Sequence, residues 1–118
     1  RISGRVGTGA QRGRTIGFPT ANLVDVSTLI PANGVYAGCV LIDGRRHAAA
    51  VNIGPNPTFG EAAQKIEVYL VDFQGDLYGQ ILDVDFVDRV RDVRRFSGVD
   101  ELKSQLTQDV RHVCSIVG

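Results

Sequence analysis

The chain has 118 residues, 43% hydrophobic and 22% charged, which is the composition of an ordinary globular protein and the length of one domain. Thirteen basic and thirteen acidic residues cancel, which argues against a dedicated nucleic-acid-binding or membrane-binding surface. There is no signal peptide and no apolar run of membrane length, so we expect a cytoplasmic protein. Cys39 and Cys114 lack metal-ligand spacing, and we expect both to be small buried hydrophobic residues.

The N-terminal part combines a strand with a glycine-rich, basic segment. Residues 2–6 form a strand candidate and residues 7–17 a loop, and the first 24 residues contain four arginines but no acid. The loop is not a P-loop, because its glycine spacing is too short and Arg14 stands where lysine is required. It is not a dinucleotide fingerprint either, because Arg12 occupies the third glycine position. The local positive charge would still attract an anion such as a polyphosphate.

The segment after this loop is held extended. Pro19 has no backbone N–H and a fixed φ, and it disfavours helix at Phe18. Thr20 and Asn22 then lie on the same side of an extended backbone. Their oxygens suit a hard cation such as Mg²⁺, particularly when phosphates supply further ligands. Hydrogen bonding of both side chains to their own backbone is an equally acceptable interpretation of these residues.

The middle of the chain has the pattern of an antiparallel sheet. A turn at residues 31–34 precedes a β-rich run over 35–42, and Asp43-Gly44 is a hairpin signal that returns the chain into 46–53. Residues 54–60 contain two prolines, Pro55 and Pro57, and two glycines, so we predict a loop there. Residues 66–73 and 80–87 alternate between apolar and polar positions. Five or six short strands without helices between them indicate a closed or nearly closed barrel.

The C-terminal part is helical. Ser97 precedes Asp100 and Glu101 in a capping-box-like start, and apolar residues then recur every three or four positions. We predict one domain, with the barrel in residues 1–96 and an amphipathic helix over 97–117 that lies across it.

Two groups of charged residues are candidates for a site. Glu67 sits in the middle of an apolar strand, on the face opposite Ile66 and Val68, so its carboxylate is either solvated or directed into a site. Four arginines precede the helix, and aspartates are interleaved with them, so anion binding competes with a solvated, self-paired surface. They are Arg89, Arg91, Arg94 and Arg95.

Several of these stretches resemble the riboflavin kinase family. The most specific are Gly-Phe-Pro-Thr-Ala-Asn at 17–22 and Ile-Glu-Val-Tyr-Leu at 66–70 with Leu-Tyr-Gly at 77–79, and Asn-Ile-Gly at 52–54 also matches. The resemblance covers residues 4–109. It implies a mainly β fold, namely a six-stranded antiparallel, closed, Greek-key-like barrel with a C-terminal α-helix.

The resemblance also implies roles for individual residues. Glu67 would be the catalytic base, Thr20 and Asn22 would bind Mg²⁺, and Arg91 would lie next to the flavin. The nucleotide would contact Gly9, Gly13, Arg14 and Thr20.

The expected activity is Mg²⁺-dependent transfer of the γ-phosphoryl group of ATP to the 5′-hydroxyl of riboflavin, which gives FMN and ADP. A barrel that binds a flavin or nucleotide without turning it over is the alternative. We expect no nucleic-acid or membrane partner. In many bacteria such a domain follows an FMN adenylyltransferase domain in one bifunctional protein, and the first residue, which is not Met, agrees with that arrangement.

Overall fold

Six strands and one long helix make up the part of the chain that the computed structural model describes, which is residues 1–7, 20–26, 29–56, 61–73, 75 and 77–117. The strands are β1 (Ile2–Gly7), β2 (Ala21–Val24), β3 (Gly34–Ile42), β4 (Arg45–Asn56), β5 (Glu61–Leu70) and β6 (Ile81–Arg91). The helix, α1, spans Val99–Val117.

The strands close into a barrel in the order β1-β2-β5-β4-β3-β6, and all neighbouring pairs are antiparallel. The pairing of β2 with β5 skips two strands, which is the Greek-key feature. Among the six described strands, closure gives each strand a partner on both sides. The predicted fold class, a closed six-stranded antiparallel barrel with a C-terminal helix, is confirmed.

On β4 and β5, the alternation of side chains separates an apolar interior from an outer wall that carries polar residues. On β5, Ile66, Val68 and Leu70 are buried in the barrel, and Val51 and Ile53 meet them from β4. Because neighbouring residues of a strand point to opposite faces, Glu67 belongs to the outer wall. Interior packing therefore determines which polar residues of β4 and β5 can form a site.

The strands extend further than the sequence pattern predicts. The loop prediction over residues 54–60 is wrong for Gly54, Pro55 and Asn56, which belong to β4, while residues 57–60 lie outside the described part. The register with β5 shifts between Gly54 and Asn56, and Gly54 has a φ of 138°. A strand tolerates proline at such an irregularity, because no ladder hydrogen bond is required there.

Helix α1 lies on the outer wall of the barrel, against β3, β4 and β6. Val113 and Asp109 are its buried residues. Ser97, which precedes the helix, donates a hydrogen bond from Oγ to Oε2 of Glu101 in the first turn, at 2.5 Å. Cys39 is buried as predicted, but the prediction for Cys114 is wrong, because it lies on the exposed side of the helix. Within the described ranges, no helix has the length and apolarity needed to cross a membrane.

Candidate active site

Three polar residues face one another across three neighbouring strands of the outer wall. Asn22 on β2 is paired in register with Glu67 on β5, and Glu67 is paired with Asn52 on β4. Directly opposed residues share one face of a sheet, with Cβ atoms about 4.5–5.5 Å apart. An amide, a carboxylate and a second amide therefore form a continuous polar row, which we call the Asn-Glu-Asn row.

Thr20 joins this row from the residue before β2. Its hydroxyl donates a hydrogen bond to Oε2 of Glu67 at 3.1 Å. Thr20 and Asn22 are on the same side of an extended backbone, so both approach the Glu67 carboxylate from β2. The structure thus brings together Thr20, Asn22 and Glu67, which are distant in sequence.

The oxygens of this group are chemically suited to magnesium. A hydroxyl, an amide oxygen and a carboxylate are hard ligands, and Mg²⁺ commonly takes only one or two protein ligands while water and phosphate supply the others. No cluster of three or more His, Cys, Asp or Glu side chains that could hold a metal occurs among the described residues. A hydroxyl, an amide and one carboxylate are the small number of protein donors that Mg²⁺ commonly takes when phosphate and water supply the rest.

Asn52 is the member of the row to which the sequence pattern assigned no role. Its side-chain nitrogen, Nδ2, is buried and has no hydrogen-bond partner, the one such side-chain atom found over the described ranges. Strand alternation would have predicted its outward direction, because Val51 and Ile53 are apolar neighbours. Its position opposite Glu67 depends on the register of β4 with β5, which the sequence does not reveal.

Arg91, the last residue of β6, is held by the helix. Its Nε and Nη2 donate to the carboxylate of Asp109 at 2.8–3.1 Å, and its Nη1 donates to the Asp92 carbonyl at 3.0 Å. The Asp109 side chain is 2% exposed and that of Arg91 17%. The guanidinium also lies over the Phe96 ring, 5.6 Å from its centroid. Sequence reasoning missed Asp109, although an acid between Leu106 and Val110 on the apolar face of a helix is a signal for a buried ion pair.

The register connects Arg91 to the Asn-Glu-Asn row. Val35 of β3 is paired with Asn52 on one side and with Arg91 on the other. Arg91 is therefore three strand spacings from Glu67, or about 14 Å along the wall at about 4.8 Å per strand. Glu67, Asn52, Val35 and Arg91 are thus successive partners across four neighbouring strands.

Most of the arginine cluster before the helix is paired with acids. Arg89 Nη2 lies 2.6 Å from Asp92 Oδ1, and Arg94 Nη2 lies 3.9 Å from Glu101. The hydrogen bond to Asp92 raises the pKa of the Arg89 guanidinium above its usual value. These contacts agree with the self-paired interpretation of the cluster.

The family described as Flavokinase: Riboflavin kinase matches residues 1–117. The chain belongs to the riboflavin kinase family. Among curated proteins, it is 45% identical over 109 residues to the bifunctional riboflavin kinase/FMN adenylyltransferase of Escherichia coli (strain K12). That match covers 92% of this chain and 35% of the relative, so the chain spans about a third of the relative's length.

Solved structures carry the same fold. A crystal structure described as a macrolide-efflux protein from Streptococcus pneumoniae superposes with a TM-score of 0.81 at 41% identity, over 92% of this chain and 36% of that one. Riboflavin kinase from Trypanosoma brucei superposes with a TM-score of 0.66 at 21% identity, over 98% and 78% of the two chains. The second likeness bears on the fold alone.

The residues predicted for the riboflavin kinase site divide into three sets. Thr20, Asn22 and Glu67 come together, and Arg91 stands apart at the edge of the helix. Gly9, Gly13 and Arg14 lie outside the described residues. The described end of β1, Gly7, is paired with Asn22, so the glycine-rich segment begins beside the Asn-Glu-Asn row. The individual roles of all seven residues remain predictions.

Proposed function

We propose that this domain transfers the γ-phosphoryl group of ATP to the 5′-hydroxyl of riboflavin. The hydroxyl oxygen forms a bond to the γ-phosphorus, and the bond from that phosphorus to the β–γ bridging oxygen breaks. The hydroxyl proton goes to Glu67, and the products are FMN and ADP. The proposal rests on family membership together with the position of one carboxylate.

The observation that carries the proposal is the hydrogen bond from Thr20 to Glu67 within the Asn-Glu-Asn row. A general base must lie within hydrogen-bonding reach of the hydroxyl that it deprotonates. Glu67 is on a strand of a closed barrel, which gives it a rigid support, and Thr20 orients one of its carboxylate oxygens. In this proposal the acceptor hydroxyl donates its hydrogen bond to the Glu67 carboxylate before transfer.

Thr20 and Asn22 are the residues that would hold Mg²⁺, and Thr20 would also contact the nucleotide. When bound, magnesium reduces the negative charge on the phosphate oxygens and so lowers the repulsion that an incoming oxygen meets. Backbone N–H groups at Gly9 and Gly13 can approach phosphate without obstruction by side chains, and Arg14 adds positive charge. The chain's own contribution to rate is then positioning and proton acceptance.

Arg91 is our candidate for the far end of the flavin. The assignment rests on the resemblance of the segment around Arg91 to the family whose model matches the chain. The ion pair with Asp109 fixes the guanidinium plane, and a fixed plane can stack on an aromatic ring.

The proposal is tested by incubating the protein with riboflavin, ATP and Mg²⁺ and separating the flavin products. The unaltered protein should form FMN. Glu67→Gln retains the shape of the side chain but cannot accept the proton, so we expect kcat to fall by about 10²–10⁴, the usual contribution of a general base. Riboflavin and ATP affinity should change little.

The outcomes separate an enzyme from a binding module. Near-normal FMN formation by Glu67→Gln would exclude Glu67 as the base. Binding of flavin and nucleotide without FMN formation by the unaltered protein would favour a non-catalytic barrel. Retention of a single-stranded RNA or DNA oligonucleotide at physiological salt would contradict the expected absence of a nucleic-acid partner.

The whole protein's organisation is a further part of the proposal. Because the Escherichia coli relative is bifunctional and about three times as long, we propose that this domain works next to an FMN adenylyltransferase domain in the cytoplasm. FMN made here would then be the substrate of the neighbouring domain. Mass determination of the natural protein tests this arrangement directly.

A further inference from the structure

The amide nitrogen of Asn52 is buried without a hydrogen-bond partner among the residues that the structure describes. An unpaired donor removed from water costs about 1–3 kcal/mol, and native structures leave few such groups. Over the described ranges, Asn52 Nδ2 is the only buried side-chain atom in this condition. It lies on the wall of the candidate site, directly opposite Glu67. A cost at this position calls for an acceptor that the described part of the chain does not supply.

The chemistry of the missing acceptor follows from the position of the donor. A side-chain amide nitrogen donates and does not accept, so its partner must carry a lone pair. Asn52 is only partly buried as a residue, and the last torsion of an asparagine side chain is soft. A modest rotation therefore turns Nδ2 toward the outer wall, where the acceptor substrate approaches Glu67.

We propose that Asn52 is a substrate-binding residue whose Nδ2 donates a hydrogen bond to the 4′-hydroxyl oxygen of riboflavin while Glu67 engages the 5′-hydroxyl. This inference rests on the proposed kinase function and deepens it. Neighbouring strands are about 4.8 Å apart, so side chains that converge from β4 and β5 can contact two adjacent oxygens of one chain. The pair would select an acceptor with a second hydroxyl beside the reacting one.

A substrate hydroxyl at this position would supply the acceptor that Asn52 Nδ2 does not find among the described residues. A site that hydrogen-bonds a substrate hydroxyl discriminates strongly against analogues that lack it, because the buried protein group is then left unpaired. Asn52 would place the reacting hydroxyl by holding its neighbour, which improves orientation at Glu67. The unpaired donor destabilises the free protein slightly, and it favours acceptors that carry two adjacent hydroxyl groups.

The test compares Asn52→Leu with the unaltered protein on three acceptors: riboflavin, an analogue lacking the 4′-hydroxyl and an analogue lacking the 2′-hydroxyl. With riboflavin, kcat/KM should fall about 10- to 100-fold in Asn52→Leu. Removal of the 4′-hydroxyl from the acceptor should lower the kcat/KM of the unaltered protein by a similar factor. It should lower the kcat/KM of Asn52→Leu by less than about threefold. Removal of the 2′-hydroxyl should lower kcat/KM by the same factor in both proteins.

Thermal unfolding distinguishes a binding role from a structural one. Leucine has a similar volume and removes the unpaired donor, so the melting temperature of Asn52→Leu should be unchanged or higher. Gln64→Leu is the matched control, because the Gln64 amide already donates to Asn33 Oδ1 at 2.7 Å. That variant should keep kcat/KM for all three acceptors within about twofold.

Several results would overturn the inference. One is a kcat/KM for riboflavin of Asn52→Leu within twofold of that of the unaltered protein. Another is that the substitution lowers kcat/KM by the same factor for all three acceptors. A third is that the substitution changes the effect of removing the 2′-hydroxyl but not that of removing the 4′-hydroxyl. If Asn52→Leu does not fold, Asn52→Ser is measured in the same way, and failure of both variants to fold would show a structural role and refute the proposal. Failure of the unaltered protein to make FMN would instead refute the proposed function, and this inference with it.

Discussion

Thr20 illustrates how much of the site depends on a single hydroxyl. The side chain is exposed, so the fold gains little from it, yet it donates to the carboxylate that we propose as the base. Because this hydrogen bond is exposed, water replaces it in the unfolded chain and its net contribution to folding is small. The hydroxyl should therefore matter to turnover much more than to stability.

We expect Thr20→Val to lower kcat/KM for riboflavin phosphorylation by about 10- to 100-fold, because valine has the same shape without the hydroxyl. Thr20→Ser is the matched control and should retain most activity, since it keeps the donor. Both variants should unfold within about 0.5 kcal/mol of the unaltered protein, as is usual at exposed positions. Equal activity of the valine and serine variants would show that the hydroxyl has no function.

At the scale of elements, the Arg91–Asp109 pair fixes the helix to the barrel. Asp109 is the buried acid of α1, and Gln105 also donates to its carboxylate at 2.9 Å. Burying two charges costs much of what their attraction returns, so such a pair contributes more to specific docking than to net stability. Removal of one partner, however, leaves an uncompensated buried charge.

Arg91→Met and Asp109→Leu should each lower the free energy of unfolding by about 3–5 kcal/mol, whereas the double variant should recover most of the loss. Denaturant unfolding measures all three. The control is Asp25→Asn, which breaks the ion pair between Arg5 and Asp25. That pair has the same 2.8 Å separation as Arg91–Asp109, but its side chains are 42% and 70% exposed. Its loss should lower the free energy of unfolding by at most about 1 kcal/mol.

The double variant also tests the predicted flavin role of Arg91. If its stability recovers but its riboflavin affinity falls, the guanidinium contributes to flavin binding. If stability and riboflavin affinity both recover, Arg91 serves only to hold the helix against the barrel. Single losses no larger than that of Asp25→Asn would contradict the importance of the buried pair.

At the scale of the molecule, the proposed ligands bridge strands that are distant in sequence. A ligand held by β2, β4 and β5 stabilises the folded state by mass action, by about 2.7 kcal/mol at a hundredfold excess over Kd. For a domain of this length, that corresponds to a rise in melting temperature on the order of 10 °C.

We expect ADP with Mg²⁺ to raise the melting temperature on this scale, and EDTA to remove most of that rise because metal and phosphate bind together. The stabilisation by riboflavin alone should respond less to EDTA. Differential scanning calorimetry measures both effects, with the melting temperature of the ligand-free protein in EDTA as the control. An ADP-dependent rise that persists fully in EDTA would contradict a metal held at Thr20 and Asn22.

Local patterns predicted a large part of this molecule. Alternation along residues 66–70 is enough to place Glu67 on the face opposite Ile66 and Val68, and the Asp43-Gly44 signal indicates the turn between β3 and β4. Helical spacing from Val99 onward predicts α1. The exposure of Cys114 was missed, because which side of the helix meets the barrel depends on how the helix docks.

Sequence alone determined most of the strands and the helix, the outward direction of Glu67 and the resemblance to the family, since these depend on neighbouring residues or on short motifs. Only the tertiary structure decided that Asn22, Glu67 and Asn52 stand in one row and that Asp109 meets Arg91. Such contacts depend on strand register and helix docking, which are set by packing between segments far apart in the chain. A shift of one residue in that register would turn the same side chains to the opposite face.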